Sequence, residues 1–490
     1  MKINHYWKFF CVILLLGCGE EQSGNLTLST STEYQIISRA PNEDTPPSNT
    51  DIIANIEGMP DGTAYLFGSY TGNYYRVATA PAKNGQVRFE RDTFSLPGLY
   101  FIVFPDQQTR LQVLLDQDQE FKITSNTQDL IGMAEVEGSL DNELLYETLR
   151  FENDLSSEYK RINDGLSQYE VGTPEHNQLI IDQKVINDKK QEFLAAIFKK
   201  HPKTLFSAFK EAGQNPNLLF DFNSDGSLSP AYLIEYRARY WENVNFKDNR
   251  LLRTPVISNK IEKYFTNLIP QNQDSIIFYA EKLMNSVLEH KDYFAYFANW
   301  ITLKYEPTKT TLMDPEAVYV FMVQNYFTRE RAFWTDSMQV YGLQLRAQEM
   351  AGSLVGNKGP DVQAKDEKGQ MQSIYEIEEE YIVVYMWNPT CEHCQEQTPK
   401  LVKLYNEWHP KGLEVFSIVL NTEEQSWINA IKKYKMPWIN VNDPSNRSIY
   451  GKYYVDVTPE IYLLNKERII IGKNLNVDQI PIVIERDKNK

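Results

Sequence analysis

Apolar and polar positions alternate near the start of the chain: Ile52, Ala54 and Ile56 share one face of an extended segment, and Ile53, Asn55 and Glu57 the other. A two-residue period is that of a strand with one face against a core. Residues 63–70 repeat the strand composition. Asn84-Gly85 is a two-residue hairpin signal, and beyond it Val87 and Phe89 alternate with Gln86, Arg88 and Glu90. Further strands are expected at 99–104, 111–115 and 120–124. Residues 51–127 therefore predict a small N-terminal antiparallel β domain.

The period then lengthens. Leu145 and Leu149 lie one helical turn apart behind Asp141. Thr173-Pro174-Glu175 supplies an N-cap oxygen, a proline whose missing N–H costs nothing at that position, and a first-turn carboxylate. Phe193, Leu194, Ile197 and Phe198 give that helix an apolar stripe, which Lys199, Lys200 and Pro202 close. Asp314-Pro315-Glu316 repeats the start signal, and similar patterns at 231–241, 257–268, 275–288 and 293–305 bring the expected number to six to nine helices. Residues 128–352 read as a mostly helical middle domain, whose aromatics are expected to pack in its core, the alternative being the lining of a binding groove.

At residues 381–387 a run of β-branched, aromatic and other apolar residues has the composition of a strand buried on both faces. Asn388-Pro389-Thr390 break it, and Cys391 and Cys394 follow. Leu401, Leu404 and Tyr405 then recur at helical intervals, which puts Cys391 at or near a helix N-terminus. There, unpaired backbone N–H groups and the positive end of the helix dipole favour a thiolate. A Cys-x-x-Cys pair on such a turn attacks a disulfide with its outer sulfur and releases the product with its inner one. Cys391 is the expected attacker and Cys394 the resolver.

Trp387, Pro389, Cys391-Glu392-His393-Cys394 and Pro399 together resemble the thioredoxin superfamily. Val457-Thr458-Pro459 followed by Glu460-Ile461-Tyr462-Leu463-Leu464 is similar to that family's cis-proline strand, which implies a cis Thr458–Pro459 bond facing the cysteines. The distance between the two motifs, and the lead-in Gly356-Asn357-Lys358-Gly359-Pro360-Asp361 with Asp366-Glu367-Lys368-Gly369, resemble the TlpA/ResA type. The resemblance implies an α/β thioredoxin-like domain over 353–490 and a site of Cys391, Cys394, His393, Glu392, Thr458, Pro459 and Trp387. It also implies protein disulfides as substrates, apocytochrome c among them, and recharging by an inner-membrane thiol reductant.

Within the motif His393 is the candidate to stabilise a Cys391 thiolate, and Glu392 opposes it. Two positions depart from the family. Tyr385 stands where thioredoxins carry a buried Asp, and Gln397 where ResA-like reductants carry a Glu. Water or Glu396 is left as proton acceptor for Cys394, and a slow resolving step is expected.

The chain has four cysteines. Lys2 and Lys8 precede an apolar stretch at 9–16 that is too short to span a bilayer, so 1–17 reads as an export signal. Leu15-Leu16-Gly17-Cys18 resembles a bacterial lipobox, which implies a lipid on Cys18 and loss of Cys11 with the signal. Residues 18–50, rich in Ser, Thr, Asn and Pro, have the composition of a disordered tether. This arrangement resembles Bacteroidota lipoproteins and implies a location in the Gram-negative cell envelope, at the periplasmic face or the outer membrane. Only Cys391 and Cys394 then remain. A disulfide closing so small a loop constrains the unfolded chain little, so chemistry is a better account of the pair than stapling.

Haem attachment would need His where Gln395 stands, and structural zinc would need two further ligands. A peroxiredoxin-type cysteine would need Thr where Asn388 stands. A copper chaperone would draw on a histidine, and His409 lies beyond the active-site helix. His176, His201 and His290 show no ligand spacing, so no cofactor or metal is called for. Lys plus Arg number 50 against 66 Asp plus Glu, a net charge of −16 that excludes nucleic acid as a partner. The expected function is an envelope-anchored thiol–disulfide oxidoreductase acting as reductant. The alternative is a binding or scaffold lipoprotein with a redox-sensitive thioredoxin-like recognition module.

Overall fold

The computed structural model describes residues 49–219, 221, 223, 227–445 and 451–489. The export signal, Cys18 and the tether lie outside the described residues. The chain divides into two compact units between Ile269 and Pro270.

In the first unit, β1 (Thr50–Glu57), β2 (Gly62–Tyr70), β3 (Asn73–Ala82), β4 (Gln86–Arg91), β5 (Gly98–Val103), β6 (Arg110–Leu115), β7 (Glu120–Asn126) and β8 (Glu135–Glu137) form two four-stranded sheets. Their orders are β4-β1-β7-β8 and β3-β2-β5-β6. Ile52, Ala54 and Ile56 face inward as the alternation predicted. Asn84 and Gly85 both adopt positive φ, 51° and 75°, as the hairpin turn demands. The two strands that this turn joins continue into different sheets. Pairing is antiparallel except between β1 and β7, which run parallel. The β region also runs past residue 127, through β8.

That boundary has a physical reason. Leu144, Leu145 and Tyr146 of the Leu140–Gln168 helix, Leu194 and Ile197 of the Pro174–Lys200 helix, and Leu205 and Phe206 of the Leu205–Ala212 helix share one core with both sheets. Buried side chains of this size each contribute about 1.5–3 kcal/mol. Neither sheet nor helices would keep that core alone, so the helical stretch read from sequence as one domain is divided between two units.

Nine α-helices lie between residues 140 and 351 among the described residues. Thr173 and Asp314 cap theirs through side-chain oxygens, as expected. No helix among the described residues is long and apolar enough to cross a membrane.

The second unit holds the last four of those helices and a seven-stranded sheet. Its strands are β9 (Gln363–Asp366), β10 (Met371–Ser373), β11 (Tyr381–Trp387), β12 (Leu413–Val419), β13 (Ile439–Asn442), β14 (Glu460–Leu464) and β15 (Ile470–Gly472), in the order β10-β9-β13-β12-β11-β14-β15. β11, β12 and β13 are parallel, and β14 runs antiparallel to β11. Every residue of β11 is buried. Val383, Tyr385 and Trp387 pack on one side with Cys394, and Ile382, Val384 and Met386 on the other. A strand covered on both faces explains an unbroken apolar run. Asp366 to Gly369 form the β9–β10 turn, with Gly369 at φ 80°.

Candidate active site

The end of β11 delivers the chain to the cysteines. Asn388 closes the strand: its side-chain oxygen accepts from the N–H and hydroxyl of Thr390 at 2.8 and 2.6 Å, and its side-chain nitrogen donates to the Leu420 carbonyl at 2.9 Å. This fixes the turn that places Cys391 as N-cap of the Glu392–Trp408 helix. Pro399 lies inside that helix, where it removes one backbone donor.

The two thiols are free and differently placed: Cys391 is half-buried and Cys394 fully buried. The Cys391 thiol donates to the Thr458 carbonyl at 3.1 Å. Burial pulls its pKa upward, but the Cys394 N–H, the Thr458 hydroxyl, the Cys394 thiol and the His393 N–H outweigh it, and the thiol falls below its ordinary value. Burial pushes the Cys394 thiol up to about 12, only partly offset by the Asn388 N–H, which donates to its sulfur at 3.4 Å. One sulfur is thus primed as a nucleophile and the other is held as a thiol.

The Thr458–Pro459 bond is cis, and β14 begins at the next residue. Trp387 is buried beside the cysteine helix, its ring stacked on Tyr385 at 6.1 Å. Glu392 and His393 are exposed. His393 acts on Cys391 through its backbone N–H, and its ring lies close enough to Glu396 to bear on that carboxylate.

Glu396 is also exposed and pairs with Lys400 at 2.8 Å, directed to solvent rather than to Cys394. The Gln397 side-chain oxygen is buried without a hydrogen-bond partner. The Tyr385 hydroxyl meets the Thr398 hydroxyl at 2.9 Å, and Thr398 donates to the Cys394 carbonyl at 2.7 Å. Burial drives the Tyr385 phenol far above its usual range, so it stays neutral. Sequence reasoning missed Asn388, which reads only as a strand breaker, and Thr398. The signal for Thr398 was its place one helical turn after Cys394.

This topology and geometry decide the fold. The C-terminal domain is thioredoxin-like. The AhpC/TSA family matches residues 355–479, and a domain of unknown function, DUF4369, matches residues 50–145. Among curated proteins, the thiol-disulfide oxidoreductase ResA of Bacillus cereus is 22% identical over 119 residues, covering 24% of this chain and 68% of that protein. ResA of Bacillus thuringiensis is 21% identical over 155 residues, 32% of this chain and 78% of its own. Among solved structures, the thioredoxin domain of a thiol-disulfide oxidoreductase from Bacteroides vulgatus is 27% identical, covering 27% of this chain and 96% of that one, with a TM-score of 0.26. A thioredoxin-like protein from Bacteroides caccae is 19% identical, covering 56% and 99%, with a TM-score of 0.44.

Among the described residues one group has the composition of a metal site: ligand atoms of Glu379, His409 and Glu414 lie within 4.8 Å of one another. Glu414 already accepts from Tyr405 and from the Val415 N–H, and the His409 ring contacts the Leu413 carbonyl at 3.1 Å. These partners already engage Glu414 and His409.

Proposed function

We propose that the chain is a thiol–disulfide oxidoreductase of the cell envelope, lipid-anchored at Cys18, that reduces protein disulfides with its Cys391–Cys394 pair. The asymmetry of the two thiols carries this reading: a lowered thiol at a helix N-terminus beside a raised and buried one. The names of the ResA relatives support it.

The chemistry follows from the asymmetry. The Cys391 thiolate attacks one sulfur of a substrate disulfide, forming a mixed disulfide and releasing the other sulfur as thiolate. Cys394 gives up its proton to the substrate thiolate released first, or to solvent, and attacks the Cys391 sulfur, breaking the mixed bond and releasing the second substrate thiolate. The substrate gains two electrons and the protein is left with a Cys391–Cys394 disulfide. A dithiol donor must reduce that bond again, which is the role of an inner-membrane thiol reductant. Apocytochrome c, with its own cysteine pair, is a substrate of the right chemistry. The anchor would hold the protein at the periplasmic face or in the outer membrane.

Equilibration of the full chain with glutathione buffers tests the reading. A reversible two-electron couple near the thioredoxin value of about −270 mV supports a reductant. A couple near about −120 mV would make the protein an oxidant instead. Failure to form a reversible disulfide would favour the binding-lipoprotein alternative.

A further inference from the structure

Thr458, whose carbonyl receives the Cys391 thiol, sits in a short stretch that is gripped on both sides by residues from outside the thioredoxin-like fold. On the N-terminal side, Arg346 of the Ser337–Ala351 helix donates to the Tyr454 hydroxyl at 3.0 Å and pairs with Asp456 at 3.6 Å. The same guanidinium is held by Glu306 and lies over the Tyr319 ring at 5.2 Å. Ser353, just past that helix, accepts from the Tyr454 N–H at 3.2 Å.

On the C-terminal side the grip is ionic and buried. Asp314 caps the Pro315–Tyr326 helix and Glu316 lies in its first turn. The Lys473 ammonium, with no solvent exposure, stands 3.3 Å from Glu316 and 3.9 Å from Asp314. Asn474 donates to Glu316 at 3.1 Å through its side chain and to Glu460 at 3.3 Å through its backbone N–H. Glu460 is the residue that follows Pro459. Between the two grips lie Val457, Thr458 and Pro459, with Val457 58% exposed beside the nucleophile.

Buried charges pair only at close and well-fixed geometry, because each has given up its hydration. A cation shared by two carboxylates of a helix start is therefore a rigid anchor rather than a loose surface contact. Asp314, Glu316, Glu460 and Lys473 are all buried, and Asn474 joins the first turn of the Pro315–Tyr326 helix to the residue that follows Pro459. They fix where the strand after Pro459 begins, and so where Thr458 stands.

We propose that the helical segments between residues 270 and 352 clamp the Asp456–Glu460 stretch, with Arg346 and Glu316 as positioning residues that hold Thr458 against Cys391. The inference rests on Cys391 being the attacking thiol. It gives these helices a role in the chemistry, since they set the reactivity of the cysteine from outside the redox domain.

Arg346→Gln and Glu316→Gln in the full chain test it. Neither residue touches a cysteine; Glu316→Gln is isosteric, and Arg346→Gln shortens a side chain that is partly exposed. The readout is the rate of iodoacetamide alkylation of Cys391 in the reduced protein as a function of pH, together with KM and kcat for reduction of insulin. Loss of the Thr458 hydroxyl as a donor to the Cys391 thiolate predicts alkylation at neutral pH about three- to tenfold slower, a profile displaced to higher pH, and a raised KM. Arg346→Lys, which keeps the charge, should recover part of the loss. If Glu316→Gln does not fold, Arg346→Gln decides alone, since its side chain is partly exposed. Folded variants whose alkylation profiles superimpose on the parent overturn the clamp. Alkylation needs no disulfide cycling, so displaced profiles in a protein that forms no reversible disulfide would uphold the clamp and sink the oxidoreductase reading.

Discussion

The two ends of the Glu392–Trp408 helix, about 25 Å apart at 1.5 Å per residue, both gather titratable groups, yet they are built for opposite ends. At the C-terminal end the buried Glu414 has its partners in place. Tyr405 donates to it at 3.2 Å and the Val415 N–H at 2.8 Å, while the His409 ring stacks on Tyr405 at 4.6 Å. At the N-terminal end the half-buried Cys391 has one carbonyl partner, and Gln397 keeps an unpartnered oxygen. A perturbed pKa alone does not mark a reactive site. Perturbation together with an accessible atom and incomplete partners does.

The sharpest way to break that contrast is to remove the sulfurs one at a time. Cys391→Ser should lower insulin reduction by several orders of magnitude, because the thiolate is the nucleophile. Cys394→Ser should leave the first attack intact and trap a mixed disulfide at position 391, visible by intact mass. Capture of substrate at Cys394 in the Cys391→Ser protein would reverse the assignment.

Next in size is a pH effect. Glu460 is buried and its carboxyl is pushed up to about 8; burial is the main cause, Lys473 opposes it, Glu316 and Asp456 add to it, and the Asn474 N–H lowers it. A native state that holds this proton longer than the unfolded chain is stabilised below the unfolded carboxyl pKa. That stability is lost as pH rises from about 4.5 to about 8, by roughly 3–5 kcal/mol if no other group compensates. Glu460→Gln should flatten that slope in urea unfolding measured across the range. Glu414, also raised by burial with the Val415 N–H and His409 opposing, contributes in the same direction. An unchanged slope in Glu460→Gln would place the carboxyl in a wetter setting than its burial implies.

How much of the molecule is legible in the sequence depends on the range over which each feature is encoded. The strands at Ile52–Ile56 and within β11, the Asn84-Gly85 turn and the caps at Thr173 and Asp314 are written in a few adjacent residues, and local stereochemistry suffices to read them. The helix-start cysteines are legible for the same reason. β3 escaped because only Ala80 and Ala82 of its ten residues are buried, so its alternation is blurred. The parallel β1–β7 pair escaped because strand direction in a sheet is set by chain path, not by composition. The Ser337–Ala351 helix shows little amphipathic pattern because Met338, Tyr341 and Leu345 are exposed. Lys473 with Asp314, and Thr398 with Tyr385, are meetings across the fold that no local window contains. The direction of the His393 ring was not legible for a related reason: proximity in sequence to Cys391 fixes the position of its N–H, not of its ring.

A finer probe of the active end is the Tyr385 hydroxyl. With Glu396 turned to solvent, the described residues place no carboxylate in hydrogen-bond contact with Cys394, and the neutral Tyr385–Thr398 hydroxyl pair stands beside it instead. Tyr385→Phe removes one hydrogen bond of about 1 kcal/mol, so the resolving step should slow about fivefold while the first attack is unchanged. Stopped-flow observation of mixed-disulfide decay separates the two steps. Equal slowing of both would mean that the hydroxyl serves packing rather than resolution.

The smallest expected effect falls on the residue the motif makes most conspicuous. The His393 ring is exposed, and its contribution to Cys391 runs through the backbone N–H, which any residue other than proline supplies at that position. His393→Ala should therefore change the neutral-pH alkylation rate of Cys391 by less than about twofold, because charge–charge coupling through solvent is weak and screened by salt. The same substitution measured at low and at physiological ionic strength sharpens the comparison. A loss of tenfold or more that vanishes with salt would show that the imidazolium, not the helix end, sets the thiolate. The contrast between the two ends of the helix would then rest on a side-chain charge, and backbone geometry would be secondary.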